Sequence, residues 1–244
     1  MPMRFLPLLL LLAGCAGQQP LYTMTPAQVD AYLPVAQQET PSYTQRVVAL
    51  GRRNIGQPYE IYLLGEYPYE PYDTDPLYCL QRSDCLTFAE HMYAMAYGDD
   101  WWSFLQALQR IRYRDGVIGM TSRNHFTIPD WNRNNDFLFE DITTQLGHEV
   151  PLQQVCRRAR FFKKFGIGQG IADEPIEDRY IPKDAVPQVV DELRDGDFVN
   201  IIRGNDSSQW CGHTGLIAIG ADGTANFLHA SYPEVKEEPL VGYL

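Results

Sequence analysis

Apolar residues recur at three- and four-residue spacing in two stretches of the chain. Cys85, Phe88, Ala89, Met92 and Ala96 share one face of a helix predicted over Cys85 to Tyr97, with Gly98 as its stop. Trp101 to Arg112 repeats the pattern as a second amphipathic helix. Upstream, Thr25-Pro26 opens a helix, with Thr as cap and Pro in the first turn. Tyr43 to Asn54 has helical spacing and ends at Gly56. Gln57 to Leu64 reads as extended, and the Pro/Tyr/Asp-rich run Glu66 to Gln81 as a loop. Asp115-Gly116 predicts a turn, and Val117 to Asp141 a mixture of short strands and loops. Val150 to Phe165 is ambiguous and leans to helix in its first half, followed by a flexible link, Gly166 to Gly170. Asp184 to Leu193 is read as a short helix.

The pattern then becomes strand-like. Phe198 to Ile202, His213 to Ile219 and Ala225 to His229 are the predicted strands, and Asp222-Gly223 joins the last two as a hairpin. Helices first and a small antiparallel sheet afterwards make an α+β fold. No repeat or long linker divides the chain, so residues 25–244 are read as one domain.

The first residues follow a different rule. Arg4 precedes an apolar run, Phe5 to Leu12, that is too short to span a bilayer and reads as a secretory leader, residues 1–14. Leu12-Ala13-Gly14-Cys15 resembles the lipobox of bacterial lipoproteins. That resemblance implies diacylation of Cys15, a membrane anchor through the lipid, a tether over residues 15–24 and a periplasmic location. Ala16 after the cysteine points, by the same resemblance, to the outer membrane. The alternative is an ordinary cleaved leader.

Charge narrows the partners. Lysine and arginine number 20 against 31 acidic residues, a net charge of −11, which lacks the basic footprint of a nucleic-acid binder. Export matters for the remaining cysteines, Cys79, Cys85, Cys156 and Cys211. One disulfide among Cys79, Cys156 and Cys211 is compatible with an oxidising compartment, and Cys85 is wanted as a free thiol.

Asp84 is a plausible helix cap, which puts Cys85 in the first turn. There the helix dipole favours a thiolate, and unpaired first-turn amides can bind an oxyanion. Taken alone, the same cysteine is equally well a buried structural residue. His213 opens one strand and His229 lies on the partner strand of the Asp222-Gly223 hairpin. Side by side, His213 would serve as base and His229 would fix its tautomer, as in a nucleophile–base–orienter triad. A metal site built from both histidines with Cys85 or Cys211 is the rival, although no His-Glu-x-x-His or Cys-x-x-Cys occurs. No cofactor is expected.

Four segments together resemble the NlpC/p60 family of papain-like cell-wall hydrolases: Gly56-Gln57-Pro58-Tyr59, Asp84-Cys85, Asp195-Gly196-Asp197-Phe198-Val199, and His213-x-Gly215 followed by His229-Ala230-Ser231. The order Cys, His, His is also that family's. Val47 to Tyr232 is similar to an amidase-like lipoprotein branch, the domain of unknown function 1460. The match rests on Cys85-Leu86-Thr87-Phe88-Ala89-Glu90, Arg112 to Gly116, Ser122-Arg123-x-His125-Phe126 and Asp130-Trp131. The resemblance implies a papain-like fold with the nucleophile helix packed on the sheet. It also implies cysteine-dependent cleavage of the N-acetylmuramoyl-L-alanine amide in peptidoglycan or muropeptides. Cleavage between D-glutamate and diaminopimelate, and non-catalytic peptidoglycan binding, are the alternatives. Members of the branch have a longer apolar tail, so a final strand is expected to be missing after Leu244.

Around this core, Arg123 is read as a carboxylate ligand, His125 and Trp131 as stacking surfaces and Tyr59 as a group that polarises the substrate carbonyl. A salt bridge for Arg123 and core packing for the aromatics are equally open. Arg82 is open to pairing with Asp84 rather than with any ligand.

Overall fold

Four long helices and two short ones precede a four-stranded antiparallel sheet in the computed structural model, which describes residues 19–205 and 208–244. The leader, the lipobox and Cys15 lie outside the described residues. Helix α1, Pro26–Glu39, starts at a capping box: the Gln28 amide donates to Thr25 Oγ1 at 3.3 Å, and the Thr25 amide donates to Gln28 Oε1 at 2.8 Å. Helices α2, Tyr43–Arg52, α3, Cys85–Tyr97, and α4, Trp101–Arg112, follow. Asp84 caps α3 by accepting from the Thr87 amide at 2.7 Å, and Gly98 closes it.

Helix α3 is buried on every side from Thr87 to Ala96, not along one stripe. Helices α1, α2 and α4 and the sheet pack around it, so even its polar positions need internal partners. Glu90 is one such position. Arg112 Nη1 donates to Glu90 Oε2 at 2.8 Å, and Trp131 Nε1 donates to Oε1 at 3.1 Å.

The sheet runs β3, Phe198–Asn205, β4, Ser208–Ile219, β5, Ala225–Ala230, and β6, Val235–Pro239, in that spatial order. A short helix α7, Leu240–Tyr243, follows and covers part of one face. Neither β6 nor α7 is legible in the sequence pattern. Leu216, Ala218 and Leu228 face α3, while Ile217 and Phe227 face α7, the two-residue alternation of a sheet buried on both sides.

Several expectations change. Val150 to Phe165 is strand first and helix second: β1, Val150–Cys156, then α6, Arg158–Lys163. Its partner β2, Glu174–Tyr180, lies beyond the Gly166 to Gly170 link, and the pair buries Leu152, Cys156 and Ile176 together. A lone strand of alternating burial shows its period only once that partner is found. Val117 to Asp141 has no strand. It holds a π-helical turn, Thr127–Asn132, and is followed by α5, Thr143–Leu146. Asp184 to Leu193 forms two 3-10 turns, Val186–Gln188 and Val190–Glu192, since Pro187 supplies no amide for a continuous helix. Gln57 to Leu64 makes isolated bridges at Pro58 and Tyr59 only. The end of the expected tether is packed: Leu21 is buried in the main core and its amide donates to the Arg53 carbonyl at 3.2 Å.

Candidate active site

Cys85 stands at the first position of α3, where its own amide and that of Leu86 have no intrahelical acceptor. Its sulfur lies against the Thr214 amide and hydroxyl on β4 and against the Leu86 amide. The Thr214 hydroxyl is buried and makes no hydrogen bond of ordinary length. Burial, then the Asp84 carboxylate, pushes the Cys85 thiol up, and these outweigh the nearby donors. The expectation of a thiolate preset by the helix start is thereby corrected. The thiol form is favoured at rest, because desolvation and the acidic cap outweigh the Thr214 and Leu86 donors.

Tyr59 reaches the same place. Its segment bridges to Ser83, and its amide donates to the Pro233 carbonyl at 2.9 Å. Burial, then the neighbouring Cys85 and Asp84, pushes its phenol up to about 12, so it stays a donor.

His213 and His229 form the centre of a hydrogen-bonded chain. His213 Nε2 lies 2.7 Å from His229 Nδ1, and His229 Nε2 lies 3.0 Å from Glu238 Oε1. Burial is the main cause that lowers His213 to about 4, with His229 next. Burial also lowers His229, partly offset by Glu238. Both rings are therefore neutral near pH 7. Among the described residues, Cys85 makes no hydrogen bond to His213. The two flank one step of β4, the sulfur against Thr214 and the imidazole against Phe227, His229 and Tyr243.

Two features of β4 set the histidine pair. The register slips between Ile201 and Ile202, so His213 pairs with Ile201 and Cys211 with Ile202, leaving Gly212 as the bulged residue. Two residues after His213, the missing side chain of Gly215 leaves room for the neighbouring strand. A Cβ there would stand 2.5 Å from the Phe227 ring and 2.8 Å from His229 Cβ.

Residues 49–244 match the model of the family described as AmiA-like, N-acetylmuramoyl-L-alanine amidase-like. The chain belongs to this amidase-like family. The match spans Cys85, both histidines and Glu238. Among solved structures, the chain is similar to protein LPG0564 from Legionella pneumophila, of family DUF1460. That likeness has a TM-score of 0.77 at 21% identity, over 89% of each chain. It is also similar to an N-acetylmuramoyl-L-alanine amidase from Bacteroides uniformis, with a TM-score of 0.66 at 24% identity, over 83% of this chain and 92% of that one. No curated protein matches the chain.

In this amidase-like chain the other expected substrate residues are engaged within the fold. Arg123 Nη2 pairs with Asp73 at 2.7 Å, its Nε lies 3.1 Å from Glu66 Oε1, and its Nη1 donates to the Leu64 carbonyl at 2.6 Å. It therefore fixes the 64–73 loop, matching the salt-bridge alternative. His125 Nε2 lies 2.7 Å from the Met120 carbonyl, and its ring packs on Phe161 and Phe162. Burial, then Arg123, drives His125 down to about 3, so it is a neutral packing residue. Trp131 is wholly buried against Phe139 and Phe198, so it offers no stacking surface. Arg82 pairs with Glu60 because Asp84 is turned to the α3 amides.

The amidase-like fold leaves Cys79, Cys85, Cys156 and Cys211 all free, so the bridge that an oxidising compartment allows among Cys79, Cys156 and Cys211 is not formed. Beyond the π-helical turn, a groove of about 580 Å³ is lined by Arg114, Ser122, Asp130, Arg158, Phe162 and Glu174. Glu238 is the site residue missed in the sequence. Its only signal is the alternation Lys236-x-Glu238 on a strand whose pairing is non-local.

Proposed function

We propose that this protein is a cysteine-dependent amidase that cleaves the N-acetylmuramoyl-L-alanine bond of peptidoglycan or its fragments, on a papain-like, NlpC/p60-type fold. Membership of the amidase-like family supports the substrate class. The observation that supports the mechanism is the His213–His229–Glu238 hydrogen-bonded chain, with the Cys85 sulfur at the start of α3 lying against Thr214, the residue that follows His213 on β4.

A single assignment of protons fits these contacts. His229 Nε2–H donates to Glu238, His213 Nε2–H donates to His229 Nδ1, and His213 Nδ1 is left with its lone pair. With a resting thiol, His213 is the proposed general base that takes the Cys85 proton when the substrate carbonyl arrives. The sulfur bonds to the lactyl carbonyl carbon and the π pair moves to the oxygen. The Cys85 and Leu86 amides, which no helix carbonyl engages, and the Tyr59 hydroxyl are the proposed donors for that oxyanion. The imidazolium returns its proton to the L-alanine nitrogen as the carbon–nitrogen bond breaks. Water, deprotonated by the same ring, then releases the muramyl acid from the thioester.

The protein is further proposed to be exported and lipid-anchored at Cys15, on the periplasmic side of the outer membrane. Loss of membrane association in Cys15→Ala tests this; unchanged fractionation overturns it.

The reaction is tested with muropeptides and mass spectrometry, beside Cys85→Ala. Free peptide beginning at L-alanine, absent with the variant, is the expected result. A cut after D-glutamate that is lost in the variant moves the bond to the endopeptidase alternative. Equal cleavage by both proteins rejects Cys85, and binding without cleavage rejects the enzyme.

A further inference from the structure

Strand β6 brings two opposite charges to the outer nitrogen of the histidine pair. Lys236 pairs with His229 across the ladder, and Glu238 sits one diagonal step along the same face. Glu238 Oε1 accepts from both, at 3.0 Å from His229 Nε2 and 2.7 Å from Lys236 Nζ. His229 is fully buried, so its two ring nitrogens have only these partners, His213 and Glu238.

We infer that Glu238 is a positioning residue for the reaction, acting through His229 to choose which nitrogen of His213 is the base. A carboxylate can only accept, so the nitrogen facing it must carry a proton. His229 Nδ1 is then an acceptor, His213 Nε2 must donate to it, and the free lone pair falls on His213 Nδ1. Without Glu238 the reverse assignment becomes available. A proton on His229 Nδ1 would draw the lone pair of His213 to Nε2, pointing away from any substrate. Lys236 shares the Glu238 oxygen and holds Glu238 ionised, while its own positive charge disfavours protonation of both rings. The inference rests on Cys85 as nucleophile and His213 as base.

The charged and titratable groups facing the pair are Arg203 from β3, Glu238 and Lys236 from β6, and Tyr243 from α7. Arg203 donates to the Tyr243 hydroxyl at 3.1 Å. Glu238 is the sole carboxylate among them and the only one that accepts from a ring.

The test combines kinetics with nitrogen NMR of histidine-labelled protein, on the wild type, Glu238→Gln, Glu238→Leu, Lys236→Met and Cys85→Ala. In the wild type His229 shows a protonated Nε2. In Glu238→Leu the His229 signals move toward the other tautomer, and kcat falls about tenfold to a hundredfold with KM nearly constant, the range of one charge-assisted hydrogen bond. Glu238→Gln, whose amide oxygen still accepts, keeps the tautomer and most of the rate. Lys236→Met moves the acid limb of kcat/KM to higher pH, because a positive charge near the rings is gone. An unchanged His229 tautomer together with an unchanged kcat in a folded Glu238→Leu overturns the inference. Activity retained by Cys85→Ala instead overturns the proposed reaction, and the tautomer measurement still decides the role of Glu238.

Discussion

His213 Nε2 lies 2.7 Å from His229 Nδ1 although the two residues are not opposite each other in the ladder. The register pairs Leu216 with Leu228, so continuing it by one places Gly215 opposite His229 and leaves His213 on the diagonal. The contact therefore depends on both strands keeping this register. If the rings act as one unit, His213→Ala lowers kcat/KM by on the order of 10⁴-fold or more, and His229→Ala by less. The double variant is then no worse than His213→Ala. Muropeptide kinetics on the three proteins check this, and multiplicative losses would show independent roles.

Gly215 is where the two strands approach most closely beneath the histidines. Gly215→Ala puts a methyl 2.5 Å from the Phe227 ring, so the β4–β5 ladder must shift. The expected cost is about 1–3 kcal/mol of stability. Activity falls further than that loss explains, because His229 Cβ is also displaced from 2.8 Å. Urea unfolding and kinetics on one preparation separate the two effects.

The Glu90–Arg112 pair is buried at 2.8 Å, with only 3% and 6% of the respective side chains exposed. Removing one partner strands the other charge, so Arg112→Met costs about 3–5 kcal/mol. The double variant Glu90→Leu with Arg112→Met is less destabilised than the sum of the singles. Denaturation midpoints for the cycle check the sign of that coupling.

Acid sensitivity follows from buried neutral histidines. Burial is the main cause that lowers His91 to about 4, and it does the same to His125, at about 3. The unfolded chain binds protons at these positions near pH 6.5, before the folded chain does. Stability is therefore fully present above pH 6.5 and is lost as pH falls toward those lower values. His91 accounts for on the order of 3 kcal/mol of that loss. His91→Leu loses less stability between pH 7 and pH 4 than the wild type, as read by thermal or urea unfolding. An equal loss would show that His91 takes up no proton on unfolding.

Free thiols at Cys79, Cys85, Cys156 and Cys211 make a direct chemical prediction. Denatured protein labelled with iodoacetamide without reductant carries a label at all four. Reductant-dependent labelling of any pair would reveal a disulfide.

Much of the helical half was legible from local information. The bounds of α3 and α4 follow from three-and-four spacing, a side-chain cap before each, and for α3 a glycine after it. The Thr25 cap of α1 is equally local. Cys85, His213 and His229 were legible as candidates because a helix start and a hairpin turn are short-range signals.

What the sequence by itself determined is therefore the α+β order, the helix ends and the residues with chemistry. Tertiary structure alone decided which of those residues meet. β1 needed β2, and β6 needed β5, before either showed as a strand, because backbone hydrogen bonds in a sheet come from distant residues. Arg123, His125 and Trp131 carry groups suited to a ligand, yet packing engages them with Asp73, Met120 and Glu90. Burial likewise set the protonation of Cys85 and His213, since the cost of charge depends on what surrounds a group in space. Glu238 entered the site through a cross-strand diagonal, a relationship that exists only after β5 and β6 have paired.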